Sequence, residues 1–294
     1  MNVSNSRATN LHSLRMNRSL VKEHRARSRP LPASAELPHQ AAFVLFLALF
    51  AVVWVNLVFP SEPFGPSQFP QALFLVLTVA TTLAGLTRQL PAQNVVLAAV
   101  IILLIGGAVQ VLGALTGIPF GPYVYGEHLG PELFHPLPWA APLIWVVAVL
   151  NSRGVARLIM RPWRKTRSYG FWVIGLTAGL VAIFDLGLEP FASRVEHYWL
   201  WNPTKLAIDY YGAPCVNFAS WTVVSLLILA FITPALINKR PGKSPSSFHP
   251  LIVWLLLQLL FASGAASHGL WGAAAITVLA SAPVAIFAVR GGTW

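Results

Sequence analysis

Residues 95–115 read VVLAAVIILLIGGAVQVLGAL, a run of 21 residues without a charged side chain. A helix needs about 20 apolar residues to cross the hydrocarbon core of a bilayer, so this stretch predicts a transmembrane helix. Further apolar stretches recur along the chain at residues 41–59, 69–86, 137–151, 171–189, 215–237, 249–267 and 269–289. The sequence therefore predicts an all-α fold, a polytopic membrane helix bundle of about eight transmembrane helices.

The composition agrees with this fold class. Charged residues make up 10% of the 294 residues and apolar residues 56%, whereas a soluble domain carries about a quarter charged residues. The last two stretches come from one continuous apolar run that is too long for a single crossing, and seven helices is the alternative. Residues 1–40 are polar and basic and predict a disordered cytoplasmic tail, followed by a transmembrane domain over residues 41–290.

The basic residues fall on one side of the predicted bundle. With a cytoplasmic N-terminus, 18 of the 20 Lys and Arg residues lie in inside segments, and only Arg194 and Lys205 lie outside. This asymmetry follows the positive-inside rule and predicts a multi-pass protein of the inner (cytoplasmic) membrane with both termini cytoplasmic. It also accounts for the net charge of +11, so no nucleic-acid partner is expected. Seven of the nine acidic residues lie at or near the outer face, which a site on that side would explain.

The first segment with chemical character is residues 117–131, GIPFGPYVYGEHLGP, which follows the third apolar stretch. Its three Pro and four Gly forbid a continuous helix, and irregular backbone near membrane depth is tolerated where it is buried in protein or lines a cavity. Tyr123, Tyr125, Glu127 and His128 are suited to the rim of a pocket. An outer loop with interfacial tyrosines accounts for the same residues.

The second segment carries two carboxyl groups. Asp185 lies about 21 Å along the fifth stretch at 1.5 Å per residue, within a hydrocarbon core about 30 Å thick, where ionisable groups usually mark function. Glu189 lies one turn further on the same face. Two carboxylates so close in a partly desolvated place do not both ionise cheaply, so one is expected to keep a proton, as a general acid requires. A structural hydrogen bond of Asp185 and a surface position of Glu189 are the alternatives. The GxxxG pair Gly175 and Gly179 predicts a close helix contact beside them.

The third segment leads into the sixth stretch. Asn217 and Trp221 are four residues apart, so they share a helix face and can both point into one pocket. An interhelical hydrogen bond accounts for Asn217 equally well. Tyr198, Trp199 and Trp201 are interpreted as an interfacial aromatic belt. The predicted topology brings the three segments together at the outer ends of the third, fifth and sixth helices.

Several motif classes are missing from the sequence. It contains no paired-histidine box, no Asp-rich magnesium box, no P-loop and no dinucleotide fingerprint. No metal and no cofactor are therefore expected.

As a set, these segments resemble the integral-membrane carotenoid biosynthesis protein family of the carotenoid 1,2-hydratase type. The residues that carry the resemblance are Gly117–Tyr125 with Leu129–Pro131, the Asp185-x-x-x-Glu-Pro190 element, and Tyr211–Pro214 leading into Asn217-Phe218. The resemblance implies cofactor-independent hydration of the terminal C1=C2 double bond of a linear carotenoid end group, through a tertiary carbocation.

The resemblance also suggests roles for individual residues. Asp185 is the candidate proton donor, with Glu189 or Glu127 as the group that orients and deprotonates water. The candidate substrate-binding residues are Phe120, Tyr123, Tyr125, His128, Asn217 and Trp221. The expected partners are a linear or monocyclic carotenoid, the lipid bilayer and other carotenoid enzymes. A non-catalytic carotenoid-binding scaffold and a small transporter are the alternatives.

Overall fold

The structure, a computed structural model, describes residues 33–59, 68–203, 208–237 and 247–294. These residues form eight α-helices, and the helices account for most of the described chain. Their bounds are α1 Ala33–Val58, α2 Gln68–Thr87, α3 Ala92–Thr116, α4 Ala141–Ile159, α5 Tyr169–Pro190, α6 Val216–Ile232, α7 His249–Ser267 and α8 Trp271–Gly292. The predicted all-α bundle is therefore confirmed.

Six helical segments in the described part of the chain are long and apolar enough to cross a membrane. They lie in α1, α3, α4, α5, α7 and α8, while the apolar segments of α2 and α6, Gln71–Thr87 and Val216–Ile232, are shorter. Large apolar side chains such as Leu104, Val223 and Leu279 are exposed by 63–72% on the outside of the bundle. Such a surface suits hydrocarbon rather than water. The choice between eight and seven crossings stays a prediction, as does the side on which the termini lie.

Several predicted helix bounds were wrong. Helix α1 starts at Ala33 rather than Ala41, because the residues between them, apart from Pro38, favour a helix that runs into the apolar stretch. Helix α4 runs over Ala141–Ile159 rather than 137–151, because its polar C-terminal half is also buried in the bundle. Helix α6 stops at Ile232 because Pro234, two residues further on, has no N–H to donate to the carbonyl oxygen of Ala230. Residues 1–32 of the predicted tail, Glu62, and the basic residues Lys205, Lys239, Arg240 and Lys243 lie outside the described residues.

Helix α4 forms the centre of the bundle. Most of its residues are buried, including Trp145 and Arg153. The Arg153 guanidinium Nη2 donates a hydrogen bond of 2.9 Å to the carbonyl oxygen of Leu236. A buried guanidinium needs such acceptors, because an unpaired polar group away from water is costly.

Three short antiparallel strand pairs close one end of the bundle, here named the capped end. Strand β1 (Tyr123–Tyr125) pairs with β4 (Trp199–Trp201), β2 (Glu132–Phe134) with β3 (Leu137–Pro138), and β5 (Asp209–Tyr210) with β6 (Ala213–Pro214). The two segments that form the first pair also meet closely beyond it. A Cβ atom at Gly126 would collide with the carbonyl oxygen of His197, which explains a glycine at that position.

The expectation of a close helix contact at Gly175 and Gly179 was wrong. No described atom lies within 4 Å of a Cβ built at either position, so both glycines face open space. Close approach occurs at other glycines instead. At Gly106 in α3 an added Cβ would lie 2.8 Å from the indole ring of Trp145, and Gly187 in α5 faces Gln258 and Thr277.

This difference predicts opposite effects of the same substitution. Gly106→Ala pushes the buried Trp145 ring aside and is expected to lower the free energy of unfolding by about 1–3 kcal/mol. Gly175→Ala meets open space within a helix and is expected to leave stability unchanged or raise it by about 0.4–1 kcal/mol. Thermal unfolding midpoints of the purified variants in one detergent check both. Equal destabilisation by the two substitutions would contradict the packing described here.

Candidate active site

Two buried carboxyl groups near the end of α5 form the centre of the site. Asp185 is 0% and Glu189 1% exposed, and they are one helical turn apart. The Asn217 side chain of α6 lies between them, with Nδ2 2.8 Å from Asp185 Oδ2 and 3.4 Å from Glu189 Oε2. One amide group therefore bridges both carboxyls. A π-helical turn, Phe191–Val195, follows Pro190 and places the Ser193 hydroxyl on the carbonyl oxygen of Glu189 at 2.7 Å.

Two indoles from strand β4 hold the outer carboxyl. Trp199 and Trp201 both donate their Nε1–H groups to Glu189 Oε1, at 2.9 and 2.5 Å. Side chains two apart on a strand point to the same face. Pairing of β4 with β1 fixes this register, with Tyr123 opposite Trp201 and Tyr125 opposite Trp199. The strand pair thus aims four aromatic side chains in a defined order around the end of α5.

The two carboxyl groups have no described cationic partner. No described Lys or Arg forms an ion pair with Asp185 or Glu189. Asp185 Oδ1 is buried and has no hydrogen-bond partner in the described part of the chain, whereas Glu189 Oε1 accepts two donors. Buried carboxylates ordinarily have cations or several donors beside them. The pair therefore differs from a structural ion pair.

A pocket of about 300 Å³, its open part included, lies against Glu189. Its walls are mostly aromatic and come from α3, β1, α5, β4 and α6. The lining residues are Gln110, Phe120, Tyr123, Tyr125, Glu189, Trp199, Trp201, Asn217 and Trp221. Trp221 is backed by Trp145, whose ring stacks on it at a centroid distance of 4.0 Å. An aromatic pocket with one carboxyl group suits an apolar ligand that is to receive or lose a proton.

The polar atoms opposite the carboxyl belong to two phenols and an amide. Tyr125 donates to Gln110 Oε1 at 2.6 Å, Tyr123 donates to the Gln110 carbonyl oxygen at 3.1 Å, and the two phenol oxygens are 3.3 Å apart. Burial raises the pKa of Tyr123 to about 12 and also raises the pKa of Tyr125. Both phenols therefore stay neutral near pH 7 and act as hydrogen-bonding groups rather than bases.

Comparison with known proteins identifies the family of the chain. The family model described as "Carotenoid biosynthesis protein" matches residues 70–283, which include every residue of the pocket. The chain belongs to this family.

A curated relative in this comparison is named bisanhydrobacterioruberin hydratase and comes from Haloarcula japonica. It is 27% identical over 165 residues, which are 55% of this chain and 54% of the relative. The chain thus spans about half the length of the curated relative that it matches. No solved structure matches the chain.

The structure brings most of the predicted site residues of this family member together. Phe120, Tyr123, Tyr125, Asn217 and Trp221 surround the pocket against Glu189, so the three predicted segments do converge. Asp185 lies one layer deeper, behind the Asn217 amide, and is not among the lining residues. The chemical role of each residue stays a prediction.

Two of the predicted residues lie elsewhere. Glu127 and His128 form a single 3₁₀ turn after β1 and line a different cavity, bordered by the face of α5 that carries Phe184 and Leu188. His128 Nδ1 is 2.8 Å from the carbonyl oxygen of Glu196. The structure therefore does not place Glu127 beside the carboxyl pair.

Sequence reasoning missed three residues of the pocket. Trp199 and Trp201 were interpreted as a membrane-interface belt, but they donate hydrogen bonds to Glu189. Their spacing of two, which puts both indoles on one strand face, was the available signal. Gln110 was overlooked although it is a polar residue in an otherwise apolar transmembrane stretch, a type of residue that commonly marks a functional position.

Proposed function

We propose that the protein hydrates the terminal C1=C2 double bond of a linear carotenoid end group, giving a tertiary alcohol. The observation that carries the proposal is the buried pair Asp185 and Glu189, bridged by Asn217, at the edge of an aromatic pocket. Membership of a carotenoid biosynthesis family supports a polyene substrate, and the name of the relative from Haloarcula japonica supports hydration.

The reaction begins with proton transfer to carbon. An unactivated trisubstituted alkene needs an acid that is shielded from water, because hydration of the acid would weaken it as a donor. The carboxyl pair holds one proton, which rests on Asp185, since Asp185 accepts one donor and Glu189 accepts three. Glu189 lines the pocket, so it relays this proton to C2 of the alkene. The electron pair of the double bond forms the new C–H bond and leaves a tertiary cation at C1.

Aromatic rings and the two carboxylates stabilise that cation. The faces of Tyr123, Trp201 and Trp221 carry the negative part of the ring quadrupole, which attracts a cation in a desolvated pocket. After proton transfer the carboxyl pair carries two negative charges next to the cationic carbon. Attraction between unlike charges is strong in such a water-poor site.

Water then captures the cation. The cluster of Tyr123, Tyr125 and Gln110 offers neutral hydroxyl and amide groups that orient a water molecule toward C1. Oxygen attack forms the C–O bond, and the extra proton returns to the carboxyl pair through Glu189. The sum is one alkene plus one water giving one alcohol, and the pair ends with the single proton it started with.

The capped end is proposed to be the outer face of the cytoplasmic membrane. The described basic residues near the ends of α2, α4 and α8, including Arg88, Arg157 and Arg290, lie at the opposite end of the bundle. The positive-inside rule assigns that end to the cytoplasm. The pocket then lies near the outer interface, where water is available to the reaction.

The test is pigment mass in a host that makes a linear carotenoid. Expression of the protein in bacteria that accumulate lycopene or gamma-carotene is expected to give a pigment heavier by one water, detected by liquid chromatography and mass spectrometry. Growth in water enriched in oxygen-18 should add two further mass units to that product. A pigment that co-purifies with the membrane protein at unchanged mass would overturn the proposal and favour a carotenoid-binding scaffold.

A further inference from the structure

A second cavity lies on the other side of α4 and α5. Its volume is about 1030 Å³, its open mouth included, which is more than three times that of the pocket at Glu189. Its body is formed by apolar side chains of α1, α2, α4, α5 and α7, among them Val53, Phe74, Val147, Leu188 and Leu257. A cavity with so apolar a lining suits a largely apolar molecule.

Two helices separate the cavity from the active site. On α5, Phe184 and Leu188 line the cavity, while their neighbours Asp185 and Glu189 face Asn217 on the other side. On α4, Ile144 lines the cavity, while Trp145 stacks on Trp221 of the active-site pocket. No residue in the described part of the chain lines both spaces. A molecule in the cavity is therefore a different molecule from one reacting at Glu189.

The polar groups of the cavity are concentrated at one end. Tyr198 donates to Gln71 Oε1 at 3.0 Å, and Glu127 and His128 line the same end. Burial raises the pKa of Tyr198 well above its usual range, so its phenol stays neutral. The mouth offers both donors and acceptors, and Glu127 is the one acidic residue among the described residues that line it. It suits a neutral hydroxyl group and disfavours a carboxylate.

We infer that this cavity is a second ligand site that binds a long-chain apolar alcohol, with the hydrocarbon among α1, α2, α4, α5 and α7 and the hydroxyl at Gln71 and His128. The site is separate from the catalytic pocket and does not depend on the reaction proposed for it. A hydrocarbon tail without a hydroxyl leaves the polar end unmatched, and a fatty acid would place its carboxylate beside Glu127.

Retinol, a linear isoprenoid alcohol, is a suitable probe. Radiolabelled retinol is expected to bind the full-length protein in phosphatidylcholine nanodiscs saturably, at one molecule per chain. Retinoic acid should compete at least tenfold less well, because its carboxylate meets Glu127. Absence of saturable binding, or equal competition by the acid, would overturn the inference.

Substitutions that fill the cavity test whether retinol binds there. Ala72→Phe from α2 and Val147→Phe from α4 fill it from two different helices and are each expected to weaken retinol binding at least tenfold. Ala48→Phe places the same ring on the exposed face of α1 and should leave binding unchanged. Two variants are used so that poor folding of one does not decide the result, and monodispersity in size-exclusion chromatography is required of each.

The carboxyl pocket provides the second readout. Asp185→Asn is expected to keep retinol binding, because Asp185 faces away from the cavity. Carotenoid hydration in the lycopene host should persist in Ala72→Phe. If Ala72→Phe removes both retinol binding and hydration, the cavity is part of the substrate site and the inference of a separate site fails. If retinol binds but no variant hydrates carotenoid, the proposed reaction fails while the second site stands.

Discussion

Glu189→Gln is expected to lower the yield of hydrated carotenoid at least about 100-fold without loss of folded protein. The glutamine oxygen can still accept the Nε1–H groups of Trp199 and Trp201, so the strand pair keeps its anchor. The amide cannot deliver a proton to carbon, and removal of a general acid typically costs a factor of about 10² to 10⁴. The measurement is the ratio of hydrated to unmodified pigment, normalised to the amount of protein in the membrane.

A surface carboxyl provides the matched control. Glu132 is exposed at the same end of the bundle and contacts His135 at 3.3 Å, away from the pocket. Glu132→Gln makes the same chemical change and is expected to keep the parental yield. A Glu189→Gln variant with parental activity would remove Glu189 from the proton path and with it the mechanism proposed here.

Helix number and helix type follow from the sequence because lipid imposes a simple requirement. Every backbone polar group must be satisfied within the helix where it meets hydrocarbon, so apolar length is enough to predict a helix. The same rule fails at helix ends. Arg153 and Arg157 looked like loop residues, yet α4 continues through both, because the bundle supplies an acceptor to the buried Arg153.

The site was predictable only in part, for a related reason. Asp185 and Glu189 stand out because carboxyl groups are rare in apolar helices, and Asn217 stands out because it shares a helix face with Trp221. The partners of Glu189 are different. Trp199 and Trp201 reach it through the pairing of two three-residue strands, β1 and β4, that are separated by more than 70 residues of sequence. Short strands of this kind leave almost no periodic signal, and tryptophan has a second common use at membrane interfaces.

The displacement of Glu127 shows the limit of reasoning from proximity in sequence. Tyr125 lies in the pocket and Glu127 does not, although only Gly126 separates them. The chain leaves strand β1 at Gly126, where it lies against the backbone of His197, and enters a 3₁₀ turn that carries Glu127 over the second cavity. Residues of one loop thus line both the pocket at Glu189 and the second cavity, and only the three-dimensional arrangement shows this.

Asp185→Asn is expected to lower the proposed carotenoid hydration by about 100-fold near neutral pH, with partial recovery as the pH falls. The asparagine oxygen can still accept from Asn217 Nδ2, so the bridge between α5 and α6 persists. The variant lacks the carboxyl group that holds the shared proton. Glu189 must then take its proton from water, and the fraction that does so rises as the pH is lowered. Membrane vesicles that contain the protein and lycopene, assayed over a series of pH values, provide the measurement.

The pH series separates a proton store from a structural role. Glu189→Gln has no carboxyl facing the pocket and should stay inactive at every pH, whereas Asp185→Asn should recover on the acid side. Asp209→Asn is the matched control, because Asp209 is an exposed acid at the capped end that accepts from the Gly212 amide, and it should keep the parental profile. If the role of Asp185 were merely structural, Asp185→Asn would lower the yield in proportion to the loss of folded protein and would leave the shape of the pH profile unchanged. That result would contradict a proton shared by the two carboxyl groups. Recovery at low pH in Asp185→Asn alone would identify Glu189 as the last carrier of the proton before carbon.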